Sequence, residues 1–202
     1  MRAALILAGG RSTRFGDRDK AVAELAGTPM IRRVVDRLAP VVDEVVINCR
    51  RDQLDAIEAA LSGVDPEPAF AVDRDPDAGP VAGIARGLEA VSAEYAVVVA
   101  CDMPFVEPDV VRLLFERAAG EDAAVPRPDE WYQTTQAVYR TEAMRRACRR
   151  ALERGADRIV APLEELDAVV VDAIESVGSL DTFENVNTVE EFEAAKERLG
   201  SE

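Results

Sequence analysis

The sequence predicts an α/β protein in three layers, with a mostly parallel, Rossmann-like central sheet covered by helices on both faces. Three observations carry this reading. Short apolar runs alternate with amphipathic stretches through the first 125 residues, and strand–helix alternation at that spacing produces parallel strands with helical crossovers. Pro29 and Pro108 stand where helices would begin, positions at which a missing backbone N–H costs nothing. Polar residues also gather at or just past the predicted strand ends, the place where sheets of this kind bind ligands.

Taken in order, the apolar run Ala3–Ala8 reads as the first strand, and Pro29–Leu38 as the first helix. Strands at Glu44–Cys49, Ala69–Val72, Tyr95–Ala100 and Ala123–Val125 alternate with helices at Arg51–Leu61, Val81–Val91 and Pro108–Ala119. After Pro126 the pattern changes. Trp131–Arg140 reads as extended, because Thr134, Thr135, Val138 and Tyr139 favour strand. Helices over Glu142–Arg154 and Asp157–Leu166 follow, then a strand at Ala168–Asp172 and a last helix over Val189–Leu199. With no repeat and no long Pro/Gly/Ser linker, the 202 residues read as a single domain, 1–202.

Composition narrows the function. The chain has 39 acidic and 24 basic residues, a formal charge of −15, so it lacks the basic footprint that nucleic acid or an anionic membrane requires. High acidity with two lysines, Lys20 and Lys196, points to adaptation to high salt. Histidine is absent, which excludes Ser-His-Asp and Cys-His nucleophiles and histidine metal sites. Cys49, Cys101 and Cys148 are odd in number and widely spaced; they read as free, buried thiols of a cytoplasmic protein. No signal peptide or membrane span is expected, since the first apolar stretch is short and runs into glycines.

The segment Leu5-Ile6-Leu7-Ala8-Gly9-Gly10-Arg11-Ser12-Thr13-Arg14-Phe15-Gly16, leading to Lys20, carries the most chemistry. A glycine loop after a buried strand lets backbone N–H groups approach an anion, and a lysine adds a movable charge for phosphate oxygens. Read without function, the same segment is a strand-to-helix turn with a solvated charge. Asp102 follows the strand Tyr95–Ala100 and is placed either to hold Mg²⁺, which takes one or two carboxylates with phosphate oxygens and water, or to cap a turn. Asp73 could accept from a sugar hydroxyl or base N–H, or close a turn, and Asn48 could read a base or ribose edge, or satisfy local backbone. Gly79 and Gly83 bracket a helix entry where a planar ligand could lie against the backbone. Asn185 and Asn187 alternate on an extended segment and so point the same way, or they are turn and cap residues. The loop is not a Walker P-loop, and GxGxxG is absent.

Together these segments resemble the nucleotidyltransferase family that includes molybdenum cofactor guanylyltransferase. The resemblance covers nearly the whole chain: Leu7–Gly16 with Asp19-Lys20, Gly27-Thr28-Pro29-Met30-Ile31, Gly79-Pro80-Val81-Ala82-Gly83, Cys101-Asp102-Met103-Pro104-Phe105 and Asn185-Val186-Asn187-Thr188. It implies the nucleotidyltransferase version of the three-layer fold, and transfer of GMP from GTP to the terminal phosphate of molybdopterin with release of pyrophosphate. By the same resemblance, Leu7, Ala8, Gly9, Gly10, Lys20, Asn48, Asp73, Gly79 and Asp102 would bind the nucleotide, and Asp102 also Mg²⁺. Lys20, Asp102 and Arg14 would be catalytic, and Asn185 and Asn187 would face the acceptor. Transient contact with molybdenum-cofactor enzymes or biosynthetic partners is a further implication. One departure is visible: Gln133-Thr134-Thr135-Gln136-Ala137-Val138-Tyr139 stands where the family usually has a proline-containing acceptor-side segment. Sister enzymes acting on a cobinamide phosphate, a phospholactate or a sugar phosphate are the alternatives, as is a nucleotide-binding regulator without turnover.

Overall fold

Residues Arg2–Leu7 form β1, the strand about which the computed structural model is organised. The structure describes residues 1–11, 19–75, 78–172 and 174–200. After β1 come the short strands β2 (Glu24–Leu25) and β3 (Thr28–Pro29), then α1 (Met30–Leu38), β4 (Glu44–Cys49), α2 (Leu54–Ala60) and β5 (Ala69–Val72). The chain continues with α3 (Gly79–Leu88), β6 (Tyr95–Ala100), α4 (Pro108–Arg117), β7 (Ala123–Pro126), β8 (Ala137–Arg140) and α5 (Thr141–Glu153). It closes with α6 (Val160–Leu163), β9 (Ala168–Val171) and α7 (Val189–Gly200).

Seven strands form one sheet in the order β5-β4-β1-β6-β8-β7-β9. β5, β4, β1 and β6 are parallel, β8 is antiparallel to both neighbours, and β7 pairs in parallel with β9. All strands of this sheet but β8 therefore end at the same rim. β1 has β4 on one side and β6 on the other, so the order reverses there and opens a crevice above it.

Side-chain alternation along the strands sorts the core into two layers. Ala4 and Ile6 of β1, with Val45 and Ile47 of β4 and Val97 and Val99 of β6, pack against α1, α2 and α4. Ala3 and Leu5, with Val46, Ala96 and Val98, pack against α3 and α5. A third, smaller cluster joins Leu25, Met30, Phe105, Val186 and Ala195, and so fastens the C-terminal segment and α7 to the β2–β3 hairpin and the loop after β6.

The mostly parallel three-layer sheet matches the expectation, while two local readings are corrected and one element was missed. Trp131–Arg140 is a strand only from Ala137 onward, because Gln136 takes a positive φ of 72° that extended pairing cannot continue through. Asp157–Leu166 is helical only over Val160–Leu163: Pro162 has no N–H to donate back to residue 158, so the helix cannot be established earlier. The β2–β3 hairpin went unpredicted. Its two-residue strands turn on Ala26 and Gly27, both at positive φ, and are too short to show a period.

Helix α3 lies tightly on the central strand. A Cβ at Gly87 would come within 2.2 Å of Leu5 Cδ1 and 3.0 Å of its Cγ, and Leu5 is fully buried. Gly87→Ala therefore overpacks this contact, which outweighs alanine's helix-propensity gain of about 1 kcal/mol; a net loss of about 1–2 kcal/mol is expected in denaturant unfolding.

Candidate active site

The rim above β1 holds a cleft of about 400 Å³ lined by Leu7, Ala8, Gly9, Gly10, Arg11, Lys20, Asn48, Asp73, Gly79, Pro80, Gly83 and Asp102, among others. The nine residues expected to bind nucleotide therefore meet at one cavity. Parallel pairing produces this convergence: Leu7 lies beside Asn48 on one side and Ala100 on the other. Ala8 N then donates to Asn48 O at 2.8 Å, and Cys101 N to Leu7 O at 3.0 Å.

On the β4 side, Asn48 is buried to 2 % exposure. Its Nδ2 donates to Ala71 O at 3.0 Å and to Asp73 Oδ1 at 2.6 Å. The backbone that Asn48 satisfies is therefore that of the neighbouring strand rather than a local turn, and the residue also lines the cleft. Two glycines make room for this pair. A Cβ at Gly83 would stand 2.5 Å from Asn48 Oδ1, and one at Gly9 would stand 2.5 Å from Asp73 Oδ2. Burial pushes the Asp73 carboxyl above the ordinary aspartate range, against the opposing pull of the Asn48 amide, Arg50 and Arg86.

On the β6 side, Lys20 Nζ meets Asp102 Oδ2 at 2.5 Å and Asn187 Oδ1 at 2.9 Å. The Lys20 and Asp102 side chains are 11 % and 13 % exposed. Each element has its own local support. Asp19 Oδ1 accepts from Ala21 N at 3.0 Å and so caps the single turn that begins at Lys20. Val186 N donates to Asp102 O at 2.8 Å, which draws the C-terminal segment to the rim. Glu191 accepts from the N–H groups of Asn187 and Thr188 at 2.6 and 2.9 Å while its own N–H donates to Thr188 Oγ1. This is a capping box at the start of α7, and the two backbone donors hold the Glu191 carboxyl below its usual range. Asn185 behaves differently: its amide donates to Phe183 O at 3.1 Å, a local turn contact, and it does not line the cleft. Arg14 lies outside the described residues.

Several residues at the site went unread in the sequence. Arg50 Nη1 donates to the carbonyls of Gly9 and Gly10 at 2.9 and 2.7 Å. Gln53 is buried beside them. The one available signal was the spacing of Arg50 and Gln53 across a helix start, the interval of a capping box. Ile159 also lines the cleft, and no local pattern marked it; Thr135, which lines it too, lies in the Gln133–Tyr139 segment that the resemblance puts on the acceptor side.

The donor set fits a magnesium ion. Asp102 Oδ1 is buried and has no hydrogen-bond partner among the described residues, an expensive state for a carboxylate oxygen unless a ligand completes it. Among the described residues no three His, Cys, Asp or Glu side chains cluster as a metal cage, and Mg²⁺ bound through one carboxylate and phosphate oxygens needs none. The thiols lie apart from this chemistry. Burial pushes Cys49 up to about 11 and Cys148 up to about 12, and burial followed by the Asp102 charge raises Cys101 as well, so all three stay protonated and unreactive near neutral pH. Among the described residues no helix is long and apolar enough to cross a membrane.

The class that this fold and rim define is the nucleotidyltransferase. A family model described as the MobA-like NTP transferase domain matches residues 4–169, and the chain belongs to that family. A probable molybdenum cofactor guanylyltransferase of Natronomonas pharaonis is 54 % identical over 200 residues, covering 98 % of each chain. One of Haloferax mediterranei is 42 % identical over 98 % of this chain and 94 % of its own. Among solved structures, molybdopterin-guanine dinucleotide biosynthesis protein A from Archaeoglobus fulgidus superposes with a TM-score of 0.81 at 28 % identity, covering all of both chains.

The contact between Gly83 and Asn48 yields a test. Gly83→Ala forces Asn48 off its two acceptors while the helix itself gains about 1 kcal/mol in propensity. Thermal stability should change little, whereas the KM for nucleotide should rise about tenfold or more through the lost hydrogen bonds.

Proposed function

We infer that this protein transfers GMP from GTP to the terminal phosphate of molybdopterin, releasing pyrophosphate. The observation that carries the reading is the meeting of Lys20, Asp102 and Asn187 at one end of the cleft with the Asn48–Asp73 pair at the other. A nucleoside triphosphate has the matching polarity: a flat base with donors and acceptors, then a run of anionic oxygens.

In this reading Asn48 and Asp73 orient the nucleoside, while the backbone at Gly79, Pro80 and Gly83 forms a wall against which a planar ring can lie. The backbone N–H groups of the Gly9–Gly10 loop and the Lys20 ammonium hold the triphosphate, and Arg14 would serve the leaving pyrophosphate as the family resemblance implies. Asp102 would hold Mg²⁺ through its second oxygen; when bound, the ion would neutralise charge at the α-phosphate. Asn187, which accepts from Lys20, would face the acceptor, and Asn185 would brace the same segment through its turn contact. An acceptor phosphate is already anionic near neutral pH, so no general base is needed, in keeping with a chain that has no histidine. Catalysis then rests on positioning and on preorganised charge. Protonated thiols and water-soluble substrates suit a cytoplasmic reaction.

The decisive assay crosses a panel of nucleoside triphosphates with phosphate acceptors and follows pyrophosphate release with Mg²⁺, at low and at molar salt. GTP with molybdopterin should be the productive pair; turnover confined to another pair would overturn the assignment. Asp102→Asn keeps the size of the side chain and should lower kcat by at least about 100-fold. Lys20→Met should act chiefly on GTP, raising its KM by about tenfold or more.

A further inference from the structure

Gln53 is 2 % exposed and sits in the turn Arg51–Gln53 that precedes α2. Its Nε2 donates to Ala8 O at 2.9 Å and to Asp19 Oδ2 at 2.8 Å, and its Oε1 accepts from Arg50 N at 2.9 Å. The Ala8 carbonyl can only accept and the Arg50 N–H can only donate, so the partners themselves dictate which way the amide faces. Both of its hydrogens are engaged.

The partners' places in the chain give this contact its meaning. Ala8 is the last residue before the glycine loop, and Asp19 is the residue just before Lys20. A single buried side chain thus ties the entry of the loop to its exit. Next to it, Arg50 grips the Gly9 and Gly10 carbonyls while its own guanidinium is steadied by Asp52 at 3.1 and 3.3 Å. Downstream, the Asp19 carboxylate that Gln53 holds also caps the turn presenting Lys20. Gln53 therefore holds one oxygen of Asp19, and the other caps the turn that carries Lys20 to Asp102.

We propose that Gln53 is a positioning residue, a clasp across the base of the loop that sets the distance between the loop's backbone N–H groups and the Lys20 ammonium, and with it the affinity for a triphosphate. It acts through Ala8 and Asp19 and touches no substrate. The proposal rests on the reading of the loop and Lys20 as the triphosphate site. Glutamine could also be here only to fill space, and the two roles separate on replacing the amide by a carboxylate of nearly the same shape. Gln53→Glu opposes a carboxylate to the Ala8 carbonyl and the Asp19 carboxylate. The added change Asp19→Asn returns a donor to that contact, and an asparagine oxygen can still cap Ala21.

The test measures Mg-GTP affinity by titration calorimetry, along with kcat, KM and melting temperature, for the wild type and for Gln53→Glu, Gln53→Glu/Asp19→Asn, Gln53→Met and Lys20→Met. Gln53→Glu should weaken GTP binding by about tenfold or more, and the double variant should recover part of that loss, since the Ala8 carbonyl still faces a carboxylate. Folded Gln53→Glu binding GTP within about twofold of wild type, or a double variant no tighter than the single one, overturns the clasp. If Gln53→Glu does not fold, Gln53→Met decides: it fills the space without donating, so wild-type affinity overturns the proposal and a loss of about tenfold supports it. Lys20→Met separates the two levels of inference. Unchanged GTP binding in that variant defeats the triphosphate reading itself, whereas a loss there with normal Gln53 variants defeats the clasp alone.

Discussion

A lysine ammonium and an aspartate carboxylate meet at 2.5 Å across 82 residues of chain, each with little more than a tenth of its side chain exposed. Neither charge could stay so far from water without the other, since an unpaired buried ion costs several kcal/mol. The glycine loop and the end of β6 must therefore come together as a unit, and the C-terminal segment joins them because Asn187 adds a second acceptor for the same ammonium. The remaining Asp102 oxygen has no hydrogen-bond partner among the described residues. A buried pair left incomplete on one side is a site with electrostatic capacity held for a ligand, and that is the property a phosphate-handling rim requires.

The fold supplies this arrangement by layering. Alternating β1 side chains feed two apolar layers, which leaves the polar chemistry to the ends of the strands, where the backbone leaves the sheet. The glycines that close the layers work at the same scale: at Gly83 and Gly9 the missing Cβ is the space that the Asn48–Asp73 pair occupies. The protein carries −15 overall, yet Arg11, Lys20 and Arg50 gather around the loop.

Much of this was legible in the sequence. The β1, β4, β5, β6 and β7 strands and the helices between them are marked by apolar periods and by proline at helix starts. Asp102, Asn48 and Asp73 were legible because each lies at or just past the marked end of a strand, and strand ends of a parallel sheet share a rim. Lys20 stood out in a chain whose other lysine is Lys196. Gln136, Pro162, Gln53 and Arg50 show where such reading ends. A positive φ at Gln136 and the short helix around Pro162 depend on which backbone partners are available, while Gln53 and Arg50 act on residues 34 to 45 positions away. Asn185 and Asn187 share a motif and a spacing, but only the fold separates a turn contact from a contact with Lys20.

What the sequence determined by itself is the order and type of the elements and the kinds of chemical group at their ends. Those follow from periodicity, backbone freedom and side-chain chemistry, all of which act over a few residues. The tertiary structure alone decided that β8 runs against its neighbours, that the C-terminal segment reaches the rim, and that a buried glutamine joins the two ends of the loop. Each of these is a pairing between distant parts of the chain, settled by which buried donors, acceptors and charges can satisfy one another once the layers have packed.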